Sequence, residues 1–147
     1  MRTLIVLTAL AAVAALAFPA TSMSEPTAAS ASTLTAKSSR FGRVLFDGRG
    51  FVLYAFTRDP RGRSACSGAC ATAWPPYVAT GKLSAGAGVT RSLLGTTRRR
   101  DGRRQVTYAG KPLYYYAHEG AGQVLCHNVN LNGGFWWVIG TNGKRRP

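Results

Sequence analysis

The side chains able to do chemistry are few and unevenly placed. Cys66 and Cys70 stand four residues apart in Ser64-Ala65-Cys66-Ser67-Gly68-Ala69-Cys70-Ala71-Thr72-Ala73-Trp74, and Cys126 stands alone beside His127. On one or two turns of helix, residues four apart face the same side and reach disulfide distance. In an oxidising compartment that bond is the default, and its short loop gives it only about 2 kcal/mol in the chain-entropy description. The competing chemistry is redox or metal work, since thiolates with imidazole select Cu(I) and Cys66, Cys70, His118 and His127 supply such a set. Against copper stand the missing βαβ frame of a thioredoxin-like carrier and the adjacency of Cys126 and His127, which sends them to opposite sides of a strand. Cys126 remains odd: buried, paired between molecules, or exchanged with Cys66 or Cys70.

Acid–base catalysis has little to work with. From Arg40 onward the acids are Asp47, Asp59, Asp101 and Glu119, with no metalloprotease helix, phosphate loop or nucleophile elbow among them. A paired-carboxylate mechanism requires Asp59 and Glu119 to be brought together. No catalytic residue is assigned.

The elements that must position these groups come twice. Gly48, Trp74, Gly81 and Lys82 recur at one constant offset as Gly110, Trp136, Gly143 and Lys144. Leu53, Tyr54, Phe56 and Asp59 recur as Leu113, Tyr114, Tyr116 and Glu119 at an offset shorter by two. An insertion at Gly50-Phe51 accounts for the slip. A doubled unit of this size buries its apolar face against its copy. Val44-Leu45-Phe46 and Val52 to Phe56 flank Asp47-Gly48, and Gln105 to Tyr108 and Leu113 to Tyr116 flank Ala109-Gly110, which predicts two hairpins. Alternation puts Tyr54 and Phe56 on one face, Leu53 and Ala55 on the other. Ser64 is the expected N-cap of the one helical turn, and Pro75-Pro76 its stop.

Leu53-Tyr54-Ala55-Phe56-Thr57-Arg58-Asp59, Cys66-x-x-x-Cys70, Trp74-Pro75-Pro76, Asp101-Gly102, Gly110-Lys111-Pro112-Leu113-Tyr114 and Gly133-Gly134-Phe135-Trp136 together resemble the secreted-repeat family of bacterial envelope proteins, often called predicted lipoproteins. The resemblance covers roughly Gly42 to Lys144. It implies a location and an architecture and names no reaction. Glu119 replaces the motif Asp in the second copy, and no Cys precedes position 66 to take a lipid. The motif residues Tyr54, Phe56, Asp59, Tyr114, Tyr116 and Glu119 read as core aromatics with turn-capping acids. The alternative is a ligand site, because aromatic faces beside a carboxylate suit cations and sugars.

Leu4 to Phe18 has the length of a signal-peptide core, which places a signal peptide over 1–22 with cleavage between 17 and 29. The Ala-, Ser-, Thr- and Pro-rich stretch 23–39 reads as a flexible linker. A single domain is expected over 40–147, with repeats at about 42–82 and 104–144. Its expected fold is mainly β: two pseudo-symmetric antiparallel units packed as a small sandwich or partly closed barrel, with one short helical turn at the cysteines.

Removing Arg2 and Lys37 from the 19 basic residues, and Glu25 from the 5 acidic ones, leaves 17 against 4 in that domain. Arg98, Arg99, Arg100, Arg103 and Arg104 surround Asp101-Gly102 as a basic hairpin tip. Such a balance draws a protein to anionic envelope polymers or lipid headgroups, while export disfavours nucleic acid. The expected function is an exported, non-catalytic, non-lipidated module of the envelope or extracellular space. The alternatives are an extracytoplasmic redox or copper-binding protein and a polyanion-binding surface protein. Intact-mass measurement of secreted material should show loss of a segment ending between Ala17 and Ala29 with no acyl addition; a full-length or acylated product contradicts this.

Overall fold

The computed structural model describes residues 32–147. The expected signal peptide, its cleavage window and the linker up to residue 31 lie outside the described residues. Among the described residues nine short strands form three three-stranded sheets, with no closed barrel. The fold is mainly β.

The first strand corrects the expected linker. Ser32–Ser39 is β1, central in a sheet between β2 (Gly42–Asp47) and the parallel β4 (Leu83–Ala85). Its composition hides this, because only Leu34 and Ala36 are apolar, two residues apart and both buried. That spacing suffices to seat one face on the core. The domain therefore begins well before Arg40, at least as early as Ser32.

The expected first hairpin is also rearranged. Asp47 turns the chain by accepting the Arg49 and Phe51 amides on Oδ1, both at 2.9 Å, and Leu53 N–H returns to the Leu45 carbonyl at 3.0 Å. Beyond that, β3 (Tyr54–Phe56) leaves β2 and pairs with β9 (Gly134–Val138) of the other repeat. In the second copy, β6 (Arg104–Tyr108) does turn into β7 (Lys111–Pro112) through Ala109-Gly110, at φ 50° and 73°. Positive φ at both central residues matches the twist of the flanking strands. β5 (Leu94–Arg98) pairs with β6 across the arginine tip. β8 (Val129–Leu131) pairs with β9 around Asn132-Gly133, a turn dipeptide whose hairpin is absent from the sequence expectations.

Helix α1 is short, Ala69–Ala73, and Trp74 closes it ahead of Pro75-Pro76. Gly68, at φ 55°, occupies the N-cap position without a side-chain bond. Ser64 is not the cap.

Strand alternation divides the interior into two clusters. Val44, Phe46, Tyr54 and Phe56 enter one with Trp74, Tyr114, Trp136 and Val138. Leu45, Leu53 and Ala55 enter the other with Leu34, Tyr77, Val106, Tyr108, Leu113 and Ile139. The first cluster is built on four rings in series, drawn alternately from the two repeats. Phe56 stacks on Trp136 at 4.2 Å, Trp136 on Trp74 at 3.9 Å with planes 2° apart, and Trp74 meets Tyr116 at 4.8 Å. Tyr54 stands edge-on to Trp74 and Tyr114 edge-on to Trp136.

The two central indoles differ in one bond. Trp136 Nε1 donates to the Leu131 carbonyl at 3.1 Å, whereas the buried Trp74 Nε1 has no partner among the described residues. Either Trp→Ala change should cost about 3–5 kcal/mol by cavity formation. Trp136→Phe should cost more than Trp74→Phe by about 1 kcal/mol, the net of one hydrogen bond. Denaturant unfolding of the two Phe variants checks this, and equal losses, or a larger loss for Trp74→Phe, contradict it.

Candidate functional site

The repeated motif folds onto itself across the two copies. Tyr54 and Tyr114 face each other as an antiparallel bridge, exchanging backbone bonds of 2.9 and 3.0 Å. Their side chains then trade acids. Tyr54 O–H donates to Glu119 Oε1 at 2.7 Å, and Tyr114 O–H donates to Asp59 Oδ2 at 2.7 Å. Each carboxylate also accepts the backbone amide six residues ahead of it: Ala65 N–H at 2.7 Å for Asp59, and Leu125 N–H for Glu119. The acids do close turns, over longer spans than a local Asx turn. They are not brought together as a catalytic pair; each is held by the other repeat's tyrosine.

Burial sets the electrostatics. It pushes the Asp59 carboxyl up to about 6, while the Ala65 amide, the Tyr114 hydroxyl and the Arg99 charge pull the other way. Glu119 is pushed up for the same reason, against the Leu125 amide and the Tyr54 hydroxyl. Both tyrosines are pushed up by burial, so their hydroxyls stay protonated donors. Tyr54 and Tyr114 have no solvent exposure, which closes the two tyrosines to any ligand of ordinary size.

Arg99 departs from its expected place in a solvated basic patch. Only 7% exposed, it donates to Ser64 Oγ at 2.8 Å, Gln105 Oε1 at 2.6 Å and the Cys66 carbonyl at 2.7 Å. Gln105 continues the chain to the Leu113 carbonyl at 2.7 Å. The arginine thus ties the hairpin tip to the cysteine segment. Arg98, Arg100, Arg103 and Arg104 remain exposed, with Arg103 bonded to Asp101 at 2.7 Å.

Cys66 and Cys70 form a disulfide, with Cα atoms 5.3 Å apart. Cys126 is a free, half-buried thiol that follows Cys66 at the same offset that separates Tyr54 from Tyr114. It is therefore the copy of Cys66, a relation that the repeat spacing carries and the cysteine spacing alone does not. Burial raises its pKa, Glu119 adds to this, and the Tyr116 hydroxyl opposes it. His127 Nδ1 accepts the Val138 amide at 3.3 Å and its ring packs on Phe41, while His118 packs on Tyr116. The copper set is dispersed. Among the described residues no three His, Cys, Asp or Glu side chains gather closely enough to hold a metal ion.

The swapped bonds lie beyond sequence reasoning, because nothing in the spacing says that each tyrosine seeks the other copy's acid. The buried role of Arg99 carries no sequence signal either, since four arginines of the same tip stay in water.

Comparison with known proteins agrees with this doubled geometry. The sequence profile of one family, described as a secreted repeat of unknown function, matches twice, over residues 35–77 and 95–139. Both matches begin one strand earlier than the expected repeat boundaries, so each repeat takes in the β1–β2 or the β5–β6 hairpin. No curated protein and no solved structure matches the chain. Among the described residues no helix is long and apolar enough to cross a membrane.

The raised carboxyls make stability depend on pH in a fixed direction. Asp59 sits at about 6 in the fold against an ordinary value of 3.8, so the folded state binds more protons between these values. The resulting stability is present below the lower value and lost as pH rises through the upper one. The denaturant midpoint should therefore fall between about pH 4 and 7, less steeply in Asp59→Asn and least in the double Asp59→Asn, Glu119→Gln variant. A midpoint that rises over this window, or the same slope in all three proteins, contradicts the assignment.

Proposed function

The chain belongs to the family of secreted repeats of unknown function, and on that premise we propose that it is an exported, non-catalytic module that holds to anionic polymers of the cell envelope through its basic surface. The observation that carries this reading is the enclosure of the tyrosines and tryptophans of its repeated motif. Tyr54, Tyr114, Trp74 and Trp136 are fully buried, and both motif acids are spent on tyrosine and backbone donors. A catalytic carboxylate needs a partner open to substrate, and each acid here is bonded instead to a buried tyrosine. What faces solvent is positive charge, borne by a domain in which basic residues far outnumber acidic ones from Arg40 onward. Four exposed arginines on one hairpin tip concentrate it.

Charge-driven attachment is screened by salt and requires the charged side chains themselves. Binding of the full chain to purified anionic wall polymer should weaken steeply between low and physiological salt. It should also fall when Arg98, Arg100, Arg103 and Arg104 become Gln. Arg99 must be kept, because its bonds to Ser64, Gln105 and Cys66 are part of the interior. Binding indifferent to both salt and substitution would reject this function.

A further inference from the structure

A second group of cations lies at the other end of β6 from the arginine tip. There the Ala109-Gly110 turn of the second repeat meets the chain leaving β3 of the first, and the two border a cavity of about 330 Å³. Arg61, Lys111 and Arg145 line it, over a floor that includes the buried Ala55 and Phe56. Among the described residues none of these three cations has an ion-pair partner: the salt bridges there involve only Arg49, Arg99 and Arg103. Asp59 also lines the cavity, but its oxygens bond the Ala65 amide and the Tyr114 hydroxyl and make no ion pair with any of the three, so three cations share the cavity with one carboxylate.

We propose that this pocket, framed by Arg61, Lys111 and Arg145 where the two repeats join, is a binding site for a phosphate group. Three positive side chains facing one concavity match a multiply charged anion better than a single carboxylate, and guanidinium forks suit phosphate oxygens.

Two of the cations are held in place before any anion arrives. Arg61 lies against Gly110, where a Cβ would stand 2.9 Å from its Cγ and 3.2 Å from its Cζ, so the turn's glycine is what admits the side chain. Gly62 N–H fixes the same approach by donating to the Gly110 carbonyl at 2.7 Å. Arg145 holds its guanidinium 5.2 Å from the centre of the Trp137 ring. Between them the Lys111 ammonium is lowered by burial, then by Arg61 and Arg145, with no carboxylate opposing. Three like charges around one carboxylate still repel one another, and a bound anion relieves that repulsion. Thr57 adds a hydroxyl on the rim: its oxygen accepts the Phe135 amide at 2.9 Å, leaving its hydrogen to donate.

This site does not depend on the arginine tip, so tip variants serve as controls. Titration calorimetry of the full, disulfide-bonded chain with inorganic phosphate at low salt should give saturable one-site binding. Lys111→Gln, Arg61→Gln and Arg145→Gln should each weaken it about tenfold, the scale of a lost charge-assisted hydrogen bond. The pair Arg98→Gln, Arg100→Gln should leave it unchanged, and acetate at the same concentration should not compete. If Lys111→Gln loses near-ultraviolet circular dichroism, Arg145→Gln decides, because its side chain is exposed and its loss leaves no cavity. The source of the phosphate is separated by two further probes, soluble glycerol-phosphate oligomers and phosphatidylglycerol vesicles at matched phosphate. The one that Lys111→Gln weakens is the source, and binding of phosphate with neither makes the free anion the ligand. Absence of saturable phosphate binding, equal loss in the tip variant, or equal competition by acetate overturns the inference. Salt-sensitive polymer binding that persists without phosphate binding overturns it too, and leaves the proposed function standing.

Discussion

Neither repeat can pair the motif segment of its own chain. The segment Tyr54–Phe56 finds its ladder on β9, and the segment around Tyr114 finds its own on Pro75 and Pro76 of the first copy, with Tyr115 N–H bonding the Pro75 carbonyl at 2.8 Å. Unpaired backbone groups in a buried strand cost free energy comparable to lost hydrogen bonds, so one copy folded alone would leave a row of them beside an exposed tryptophan. The exchange of strands is thus the condition on which the core rests. Once it is made, the rings are drawn alternately from both copies, and the tyrosine hydroxyls end against the partner's acids.

Among the described residues neither the buried Glu119 nor the half-buried Asp59 makes an ion pair, an unusual choice because burial penalises their charge. The tyrosine hydroxyl makes it tolerable. Tyr54 and Tyr114 keep their protons because burial raises them, so each acid has a permanent donor when ionised and a phenolic oxygen to donate to when protonated. The network survives in either protonation state. It follows that the motif's acids act by bonding two chain segments together, and their ability to titrate is incidental to that work. The change from Asp59 to Glu119 fits this role, because a longer acid reaches the same kind of partners, a cross-repeat hydroxyl and the amide six residues on.

Much of this architecture can be read from the residues, and the exceptions have physical causes. The doubled pattern, the β character, the disulfide and the two faces of Tyr54 to Phe56 follow from spacing and alternation, which are local properties. β1 escapes such a reading because Ser, Thr and Ala dominate it, and composition outweighs the one informative spacing, Leu34 to Ala36. A hairpin from β2 to β3 is over-extended whenever local pairing is assumed, because the partner of β3 lies far along the chain, on β9. Arg99 looks like its four neighbours. Only the tertiary position of Ser64, Gln105 and the Cys66 carbonyl distinguishes it. The cluster of Arg61, Lys111 and Arg145 is invisible for the same reason, being assembled from three separate stretches of chain.

The two copies solve one local problem differently. The connection from the motif acid to the stacked tryptophan runs from Asp59 to Trp74 in the first copy and from Glu119 to Trp136 in the second, where it is longer by two. The shorter connection holds itself with Cys66–Cys70 and a five-residue helix, too short to stand on backbone bonds alone. The longer one has room for the β8–β9 hairpin, whose Asn132-Gly133 turn takes φ 58° and 78° as a two-residue loop requires. Once a ladder of backbone bonds fixes that connection, a second disulfide has nothing left to restrain. Cys126, at the position that matches Cys66, stays a free thiol, half-buried beside Tyr116 and Glu119. The hairpin also brings the Leu131 carbonyl to Trp136 Nε1, a partner that the disulfide-held copy does not give Trp74 among the described residues.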